Sequence, residues 1–322
     1  FDGTVGVLGG LEAIRALKRA RHEPKRSIEL LLFTSEEPTR FGIGCLGSRL
    51  LCGSLDPSFG SSLKDAQGQS LDEVRAATGF HGRLATVPLP PNYYAGFVEL
   101  HIEQGPLLER DGIPIGVVTS IAAPASLRVF VEGEGGHAGA VLMPQRRDAF
   151  CAAAEVVLAV ESAAKSTGSL DTVATAGVCD IYPGAVNSVP SRVRLDLDVR
   201  DVVAERRDNA LRAIYDACDE IALRRGVHIR TEPINSDDPA QCDPSIVQAI
   251  SDTATRHGFQ CQPMISRAYH DSLFMTRIVP AAMIFIPCKD GLSHRPDEYA
   301  SPQDIGQGVL VLAETLRTLS LQ

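Results

Sequence analysis

The sequence lacks three features that would mark a membrane, nucleic-acid-binding or disulfide-stabilised protein. No apolar run approaches the ~18–20 residues of a membrane span. Basic residues are not in excess, since 31 Lys and Arg stand against 40 Asp and Glu, and the net charge of −9 argues against a nucleic-acid partner. The eight cysteines form no Cys-x-x-Cys pair, which predicts reduced, mostly buried thiols. None of these absences excludes a small anionic substrate, because one local arginine can bind it at any net charge.

The first residues, Phe1 to Thr4, provide no starting methionine, no signal peptide and no first strand. We therefore expect a chain shortened at its N-terminus, with any targeting segment in the part that precedes Phe1. The 322 residues, 44% hydrophobic and 22% charged, suffice for two domains with sizeable cores.

Apolar periodicity predicts an α/β sheet domain that uses both ends of the chain. Residues 5–21 have the spacing of an amphipathic helix, and the near-continuous apolar run 27–34 is typical of a strand buried on both faces. The remaining predicted elements of this domain are strands at 95–101, 115–121 and 281–286 and helices near 244–258 and 303–319.

The residues between the two segments of this sheet domain have a different hydrophobic pattern. Residues 191–200 alternate between apolar and polar side chains, as in a sheet with one buried and one wet face. The other predicted elements here are strands at 126–132, 171–179 and 227–233 and helices at 147–164 and 203–225. Their order is β-α-β-β-α-β, the split βαβ arrangement. The predicted fold class is therefore α/β, with a mixed-sheet domain at 1–122 and 236–322 and an inserted ferredoxin-like domain at 123–235.

Polar side chains follow the predicted strands at the edge where open α/β sheets bind ligands. Glu36 and Glu37 come directly after the run 27–34, and His101 ends the strand 95–101. Two adjacent carboxylates can divide their roles, one binding a metal and the other serving as a general base. The alternative is a solvated pair of glutamates in a turn.

Asp2 and Arg200 each have two interpretations. Asp2 precedes the first helix, where a carboxylate can cap the helix or bind a metal. Arg200 ends an alternating strand, where it can form a surface salt bridge or bind a substrate carboxylate. Further polar candidates are Gln104, His137, Asn187, His270 and His294. Imidazoles and carboxylates together suit divalent metal ions, and two such ions can activate one water and polarise a carbonyl.

Six segments carry a resemblance to a known family. In chain order they are FDGTVGVLGGLEA, FTSEEPTRFGIGCLGSR, ELHIEQGPLLE, GGHAGAVLMPQRRDA, NSVPSRVRLDLDVRD and GLSHRPDEY. They resemble the metallo-aminoacylase and carboxypeptidase superfamily, in its amidase (hydantoinase/carbamoylase) branch. The resemblance spans nearly the whole chain. It implies a dinuclear-metal catalytic domain, an inserted domain that dimerises and closes as a lid, and a further histidine ligand in an H-x-D segment that would precede Phe1.

The resemblance also implies roles for the residues around the metal ions. Asp2 bridges the two ions, and Glu37, His101 and His294 complete the ligand set within this chain. Glu36 is the general base that takes a proton from the attacking water.

Five further residues are implied to contact the substrate. His137 reaches the active site of the partner subunit and stabilises the oxyanion. Asn187 and Arg200 grip the substrate carboxylate, and Gln104 and His270 line the substrate site.

The segment SRAYHDSLFMTRIVPAAMIFIPCKDGLSH most resembles plant amidohydrolases that act on ureidoglycolate. This implies hydrolysis of ureidoglycolate to glyoxylate, ammonia and carbon dioxide. It further implies two divalent metal ions per subunit, Mn²⁺ before Zn²⁺, a homodimer formed through the inserted domain, and a location in the endoplasmic reticulum. Allantoate and N-carbamoyl-L-amino acids are alternative substrates, and a non-catalytic dimeric binding protein is the alternative of another class.

Overall fold

The computed structural model describes residues 1–322, and the chain divides into two compact units. Unit 1 consists of Phe1–Ile121 and Ala240–Gln322, and unit 2 consists of Ala122–Pro239. None of the helices combines the length and apolarity that a membrane span requires. All eight cysteines are free thiols, as their spacing predicts, and half of them are buried.

The first segment of unit 1 contains five helices and two strands. They are α1 (Thr4–Arg19), α2 (Leu46–Leu51), α3 (Pro57–Ser62), α4 (Leu71–Ala77), β1 (Phe97–Ile102), α5 (Leu107–Asp111) and β2 (Ile115–Ile121). The long helix α1 has the predicted amphipathic character, because Val5, Ala13 and Leu17 are buried on one side. Lys18 and Arg19 lie in its last turn, where positive charge complements the helix dipole.

Unit 2 contains six strands and two helices. They are β3 (Ala123–Glu132), β4 (Gly136–His137), α6 (Ala149–Ser166), β5 (Val173–Tyr182), β6 (Ser188–Val189), β7 (Arg192–Asp201), α7 (Ala204–Arg225) and β8 (His228–Ser236). The four long strands form an antiparallel sheet in the order β5-β7-β3-β8, and the short β4 and β6 pair separately. Alternate residues such as Leu195 and Leu197 are buried in the core of this unit together with side chains of α6 and α7.

The second segment of unit 1 contains three strands and three helices. They are β9 (Ala240–Gln241), α8 (Pro244–Arg256), β10 (Cys261–Ser266), α9 (Asp271–Met275), β11 (Ala281–Ile286) and α10 (Pro302–Leu319). With the first segment they form a mixed sheet in the order β1-β11-β2-β10, with β9 paired to β2. The pairs β1/β11 and β2/β10 are parallel, and β11/β2 is antiparallel. Every residue of the apolar strand β11 is buried, as a central strand requires.

The strand predicted at 27–34 is wrong, because this segment forms no regular element. A strand exists only through hydrogen bonds to a neighbouring strand, and no strand of the chain pairs with these residues. Leu32 is 72% exposed, so the apolar run is not buried on both faces. Glu36 and Glu37 therefore follow an irregular segment and not the end of a strand.

Candidate metal and substrate site

Asp2 lies in the loop before α1, and its carboxylate is central to a polar cluster in unit 1. Its Oδ1 is 3.0 Å from Nε2 of His101, and its Oδ2 is 3.3 Å from Nε2 of His294. Gly6 allows this approach, because a Cβ at that position would lie 2.6 Å from the carbonyl oxygen of Leu100, so that α1 packs directly on β1. The side chain of Asp2 makes no capping hydrogen bond to α1, which excludes the capping alternative.

Glu37 joins this cluster through His294, whose Nε2 lies 2.9 Å from Oε1 of Glu37. Gly291 brings the His294 loop inward, because a Cβ there would lie 2.6 Å from the carbonyl carbon of Gly105. Its φ of 66° is also in the left-handed region that favours glycine. All four side chains predicted to bind metal therefore meet, although they come from four separate parts of the chain.

The hydrogen bonds of His101 test whether these residues fit a metal ion. Nδ1 donates to the carbonyl oxygen of Ile102 at 2.8 Å, and Nε2 accepts the N–H of Gly3 at 3.3 Å. Nε2 and the Oδ1 of Asp2 are then two electron-pair donors facing each other, and such a pair needs a proton or a cation between them. The cluster offers nitrogen and oxygen ligands of the kind that Zn²⁺ and Mn²⁺ accept. The residues present thus fit a divalent metal ion.

Without a metal ion, a proton can take the place of the cation between Nε2 of His101 and Oδ1 of Asp2. Burial lowers the pKa of His101, but its hydrogen bond with Asp2 and the charges of Glu99 and Asp2 outweigh burial and raise it. Burial raises the pKa of Asp2, but hydrogen bonds from His101 and Ser293 outweigh burial and hold it well below its usual range. Asp2 is therefore ionised, as a metal-binding carboxylate must be.

Gln104 and Ser293 hold the second carboxylate oxygen of Asp2. The amide nitrogen of Gln104 donates to Oδ2 at 2.6 Å, and the hydroxyl of Ser293 donates to it at 2.6 Å. The amide oxygen of Gln104 is buried without a hydrogen-bond partner. Gln104, which the resemblance assigned to the substrate, thus contacts a metal-ligand candidate, and Ser293 was not found from the sequence.

Glu36 lies beside this cluster and makes no ion pair with its histidines. The thiol of Cys45 donates to its Oε1 at 3.6 Å. Burial and then the charge of Glu37 raise the pKa of Glu36 to about 7. Burial likewise raises the pKa of Cys45, so that the thiol stays protonated and acts as a donor. Glu36 is therefore a free carboxyl group that can exchange a proton near neutral pH, which a general base requires.

His270 contacts His101 edge to face, with ring centroids 4.6 Å apart. Its Nε2 is 2.8 Å from the hydroxyl of Ser266. One ligand atom each from Glu99, His101 and His270 lie within 4.8 Å of one another, so these three side chains form a second group able to hold a metal. Glu99 was missed from the sequence, although its place two residues before His101 in β1 puts both on one face of the strand.

Unusual backbone conformations concentrate around these side chains. Of seven non-glycine residues with positive φ, four lie at the site: Ser35, Cys45, Gln104 and His294. Each such conformation costs on the order of 1–3 kcal/mol and persists only where surrounding contacts hold it. The fold therefore maintains local strain at this cluster, as functional sites commonly do.

The other three predicted residues lie in unit 2. His137 in β4 pairs with Ser188, and the N–H of Ala138 donates to the carbonyl oxygen of Asn187 at 2.9 Å, so His137 and Asn187 are neighbours. Arg200 is the last residue but one of β7, and its Nε donates to Oδ1 of Asp198 at 2.6 Å. This ion pair is the contact that the salt-bridge interpretation of Arg200 predicts.

Asp271 is a buried carboxyl group next to the site, and its raised pKa predicts a pH-dependent stability. It is buried, it accepts a hydrogen bond from Ser48, and burial together with the charge of Glu99 raises its pKa from 3.8 to about 7. Between pH ~4 and ~7 the folded chain thus keeps a proton that the unfolded chain releases, so rising pH favours unfolding. The free energy of unfolding therefore falls as the pH rises through this range. We expect Asp271→Asn to make that fall smaller by on the order of a few kcal/mol.

Urea unfolding of metal-free protein in chelator at pH 5.5 and pH 8 measures this effect. The exposed Asp252→Asn on α8 is the control and should keep the pH dependence of the unsubstituted chain. Equal pH dependence in Asp271→Asn and the control would contradict the expected role of Asp271.

Comparison with known proteins agrees with this geometry. Residues 1–318 match the family model described as peptidase family M20/M25/M40. The chain belongs to this family. Hydrolases of the M20/M25/M40 family are metal-dependent, and Glu99, His101 and His270 of unit 1 form a possible metal site. The mixed α/β fold and the predicted family membership are thereby confirmed.

Sequence identities to individual members of the M20/M25/M40 family show which of them are most similar to this chain among those compared. The chain is 53% identical over 329 residues to the ureidoglycolate hydrolase of Oryza sativa subsp. japonica, covering 100% of this chain and 68% of the relative. It is 37% identical to the N-carbamoyl-L-amino acid amidohydrolase of Geobacillus stearothermophilus, covering 99% and 78%. The crystal structure of AtUAH in complex with glyoxylate superimposes with a TM-score of 0.91 at 50% identity, covering 100% and 78%.

Proposed function

We propose that the chain hydrolyses ureidoglycolate to glyoxylate, ammonia and carbon dioxide. The observation that carries the proposal is the meeting of Asp2, Glu37, His101 and His294 beside the free carboxyl group of Glu36. The relative from Oryza sativa, which bears the name ureidoglycolate hydrolase, shares 53% of its aligned residues with this chain, against 37% for the N-carbamoyl-L-amino acid amidohydrolase. This difference favours ureidoglycolate over the alternative substrates.

The proposed metal centre consists of two divalent ions per subunit, Mn²⁺ before Zn²⁺. Asp2, Glu37, His101 and His294 would hold them, and the ions would supply the positive charge that activates a water molecule and polarises the ureido carbonyl. The carboxylate of Asp2 is oriented for metal binding by hydrogen bonds from Gln104 and Ser293. Nδ1 of His101 donates to a backbone carbonyl, an outer contact that fixes the ring for metal binding.

Glu36 is the proposed general base. It takes the proton of the attacking water and passes it to the leaving nitrogen. Glu36 supports both steps because its carboxyl group makes no ion pair with the ligand histidines, and in the metal-free chain burial and the charge of Glu37 raise its pKa and so favour uptake of a proton.

Unit 2 is proposed to be the dimerisation and lid domain, and the protein a homodimer. Arg200 and Asn187 would bind the substrate carboxylate, and His137 of the partner subunit would stabilise the oxyanion. His137 is exposed, and its Nδ1 accepts the N–H of Gly139 at 3.1 Å, which leaves Nε2 free of that contact. His270 would line the substrate site beside His101. We also propose the endoplasmic reticulum as the compartment, testable by imaging of tagged protein.

A substrate panel on Mn²⁺-loaded protein tests the proposal. We expect turnover of ureidoglycolate to exceed that of allantoate and of N-carbamoyl-L-amino acids, measured as ammonia released. A preference for either alternative would overturn the substrate. Metal analysis separates the enzyme from a non-catalytic binding protein, because about two ions per chain are expected for two-metal catalysis and none for a binding module.

A further inference from the structure

The carboxylate of Glu298 connects two of the proposed metal ligands. Its side chain is 10% exposed and lies in the loop before α10. Oε1 accepts the backbone N–H of Asp2 at 2.8 Å, and Oε2 accepts the backbone N–H of His294 at 3.2 Å. One side chain thus ties together two backbone segments from opposite ends of the chain.

Ser293 strengthens this connection at the side-chain level. Its hydroxyl oxygen is 2.6 Å from Oδ2 of Asp2 and 3.1 Å from Oε2 of Glu298. Ser293 has one hydroxyl proton, which it donates to Oδ2 of Asp2, and its oxygen lies between the two carboxylates with Oε2 of Glu298 as a close neighbour. Rotation of the Asp2 carboxylate would break its contact with Ser293.

The backbone of His294 needs such support, because its φ of 58° lies in the left-handed region that few non-glycine residues adopt. The bond from its N–H to Glu298 is one contact that holds this conformation. Both bonds from the ligand backbones to Glu298 leave the side chains of Asp2 and His294 available for a metal ion. The connection can therefore persist when those side chains bind a metal.

We infer that Glu298, together with Ser293, is a positioning residue that holds Asp2 and His294 at metal-binding separation. The inference rests on the metal centre of the proposed function. Partners that orient metal ligands from outside commonly change metal affinity by ~10–100-fold when they are removed. Each oxygen of Glu298 accepts a backbone N–H from one of the two ligand residues, which is the contact a positioning residue requires.

The variant Glu298→Gln tests this inference by metal affinity and not only by activity. A glutamine has one acceptor oxygen, so it can satisfy only one of the two backbone N–H groups, and its NH₂ would face the other. We expect the dissociation constant for Mn²⁺, measured by competition with a fluorescent chelator, to rise ~10–100-fold. The visible absorption spectrum of the Co²⁺-loaded variant should also differ from that of the unsubstituted chain, because the ligand geometry changes.

The matched control is Asp297→Asn, which removes the same charge from the neighbouring residue. Asp297 is exposed and pairs only with the side chain of Arg295 at 2.9 Å. This control should bind Mn²⁺ as the unsubstituted chain does.

Equal Mn²⁺ affinity in Glu298→Gln and the control would overturn the inference while leaving the proposed function intact. Failure of the unsubstituted chain to bind Mn²⁺ would overturn the metal centre, and the inference with it. If Glu298→Gln does not fold, the Mn²⁺ dissociation constant of Ser293→Ala tests the inference instead. Weaker Mn²⁺ binding in Ser293→Ala supports the inference, and unchanged binding overturns it.

Discussion

Replacement of Glu36 by glutamine is expected to leave the metal content unchanged and to lower kcat on ureidoglycolate by at least ~10²-fold, the usual effect of losing a general acid–base group. Glutamine keeps the size of the side chain and can still accept from the Cys45 thiol, which lies 3.6 Å from Oε1. It cannot take up a proton from water. The ligand side chains make their contacts without Glu36, so their arrangement should persist.

The neighbouring Glu37→Gln is the matched contrast for this experiment. Both variants remove one carboxylate charge, but Glu37 contacts His294 at 2.9 Å and belongs to the ligand cluster. We expect Glu37→Gln to lose metal as well as turnover, measured by elemental analysis after gel filtration. Retained turnover in Glu36→Gln would remove Glu36 from the role of base, and loss of metal in that variant would make it a ligand.

The variant Asp2→Asn is expected to weaken Mn²⁺ binding by more than ~100-fold, beyond the range for residues that only orient ligands. Asp2 is the one side chain that contacts both candidate histidines, His101 and His294. An asparagine has no negative charge and replaces one of the two carboxylate oxygens with an NH₂ group. That group would face either a histidine lone pair or the donors Gln104 and Ser293.

Competition with a chelator measures this affinity, and ammonia release measures the accompanying loss of turnover. The unsubstituted protein provides a second check, because chelation should abolish its turnover and added Mn²⁺ should restore it. The exposed Asp297→Asn again serves as the control for loss of charge. If Asp2→Asn binds Mn²⁺ as tightly as the control, Asp2 is not a bridging ligand and the proposed centre is wrong.

The ligand candidates could be found from the sequence because each belongs to a segment with recognisable neighbours. Asp2, His101 and His294 stand in three of the six segments that carry the family resemblance. Their meeting follows from packing that no segment reveals alone. The segment before Glu36 shows the limit, since its apolar run predicts a strand and no strand pairs with it.

The sequence by itself determined the order of the long elements of unit 2 and the positions of several strands of unit 1, because hydrophobic periodicity records which side of a helix or strand is buried. The strands β2 and β11 begin and end where the apolar pattern predicts. It also determined the residue types at the site. Only the tertiary structure decided that Gln104 and Ser293 hold Asp2, and that Glu298 joins Asp2 to His294.

The physical reason for this division is distance along the chain. Asp2 and Glu298 are 296 positions apart, and the periodicity of one element carries no information about a hydrogen bond across that separation. Such contacts arise only when helix α1 packs on β1 and the loop before α10 reaches the backbone of Asp2.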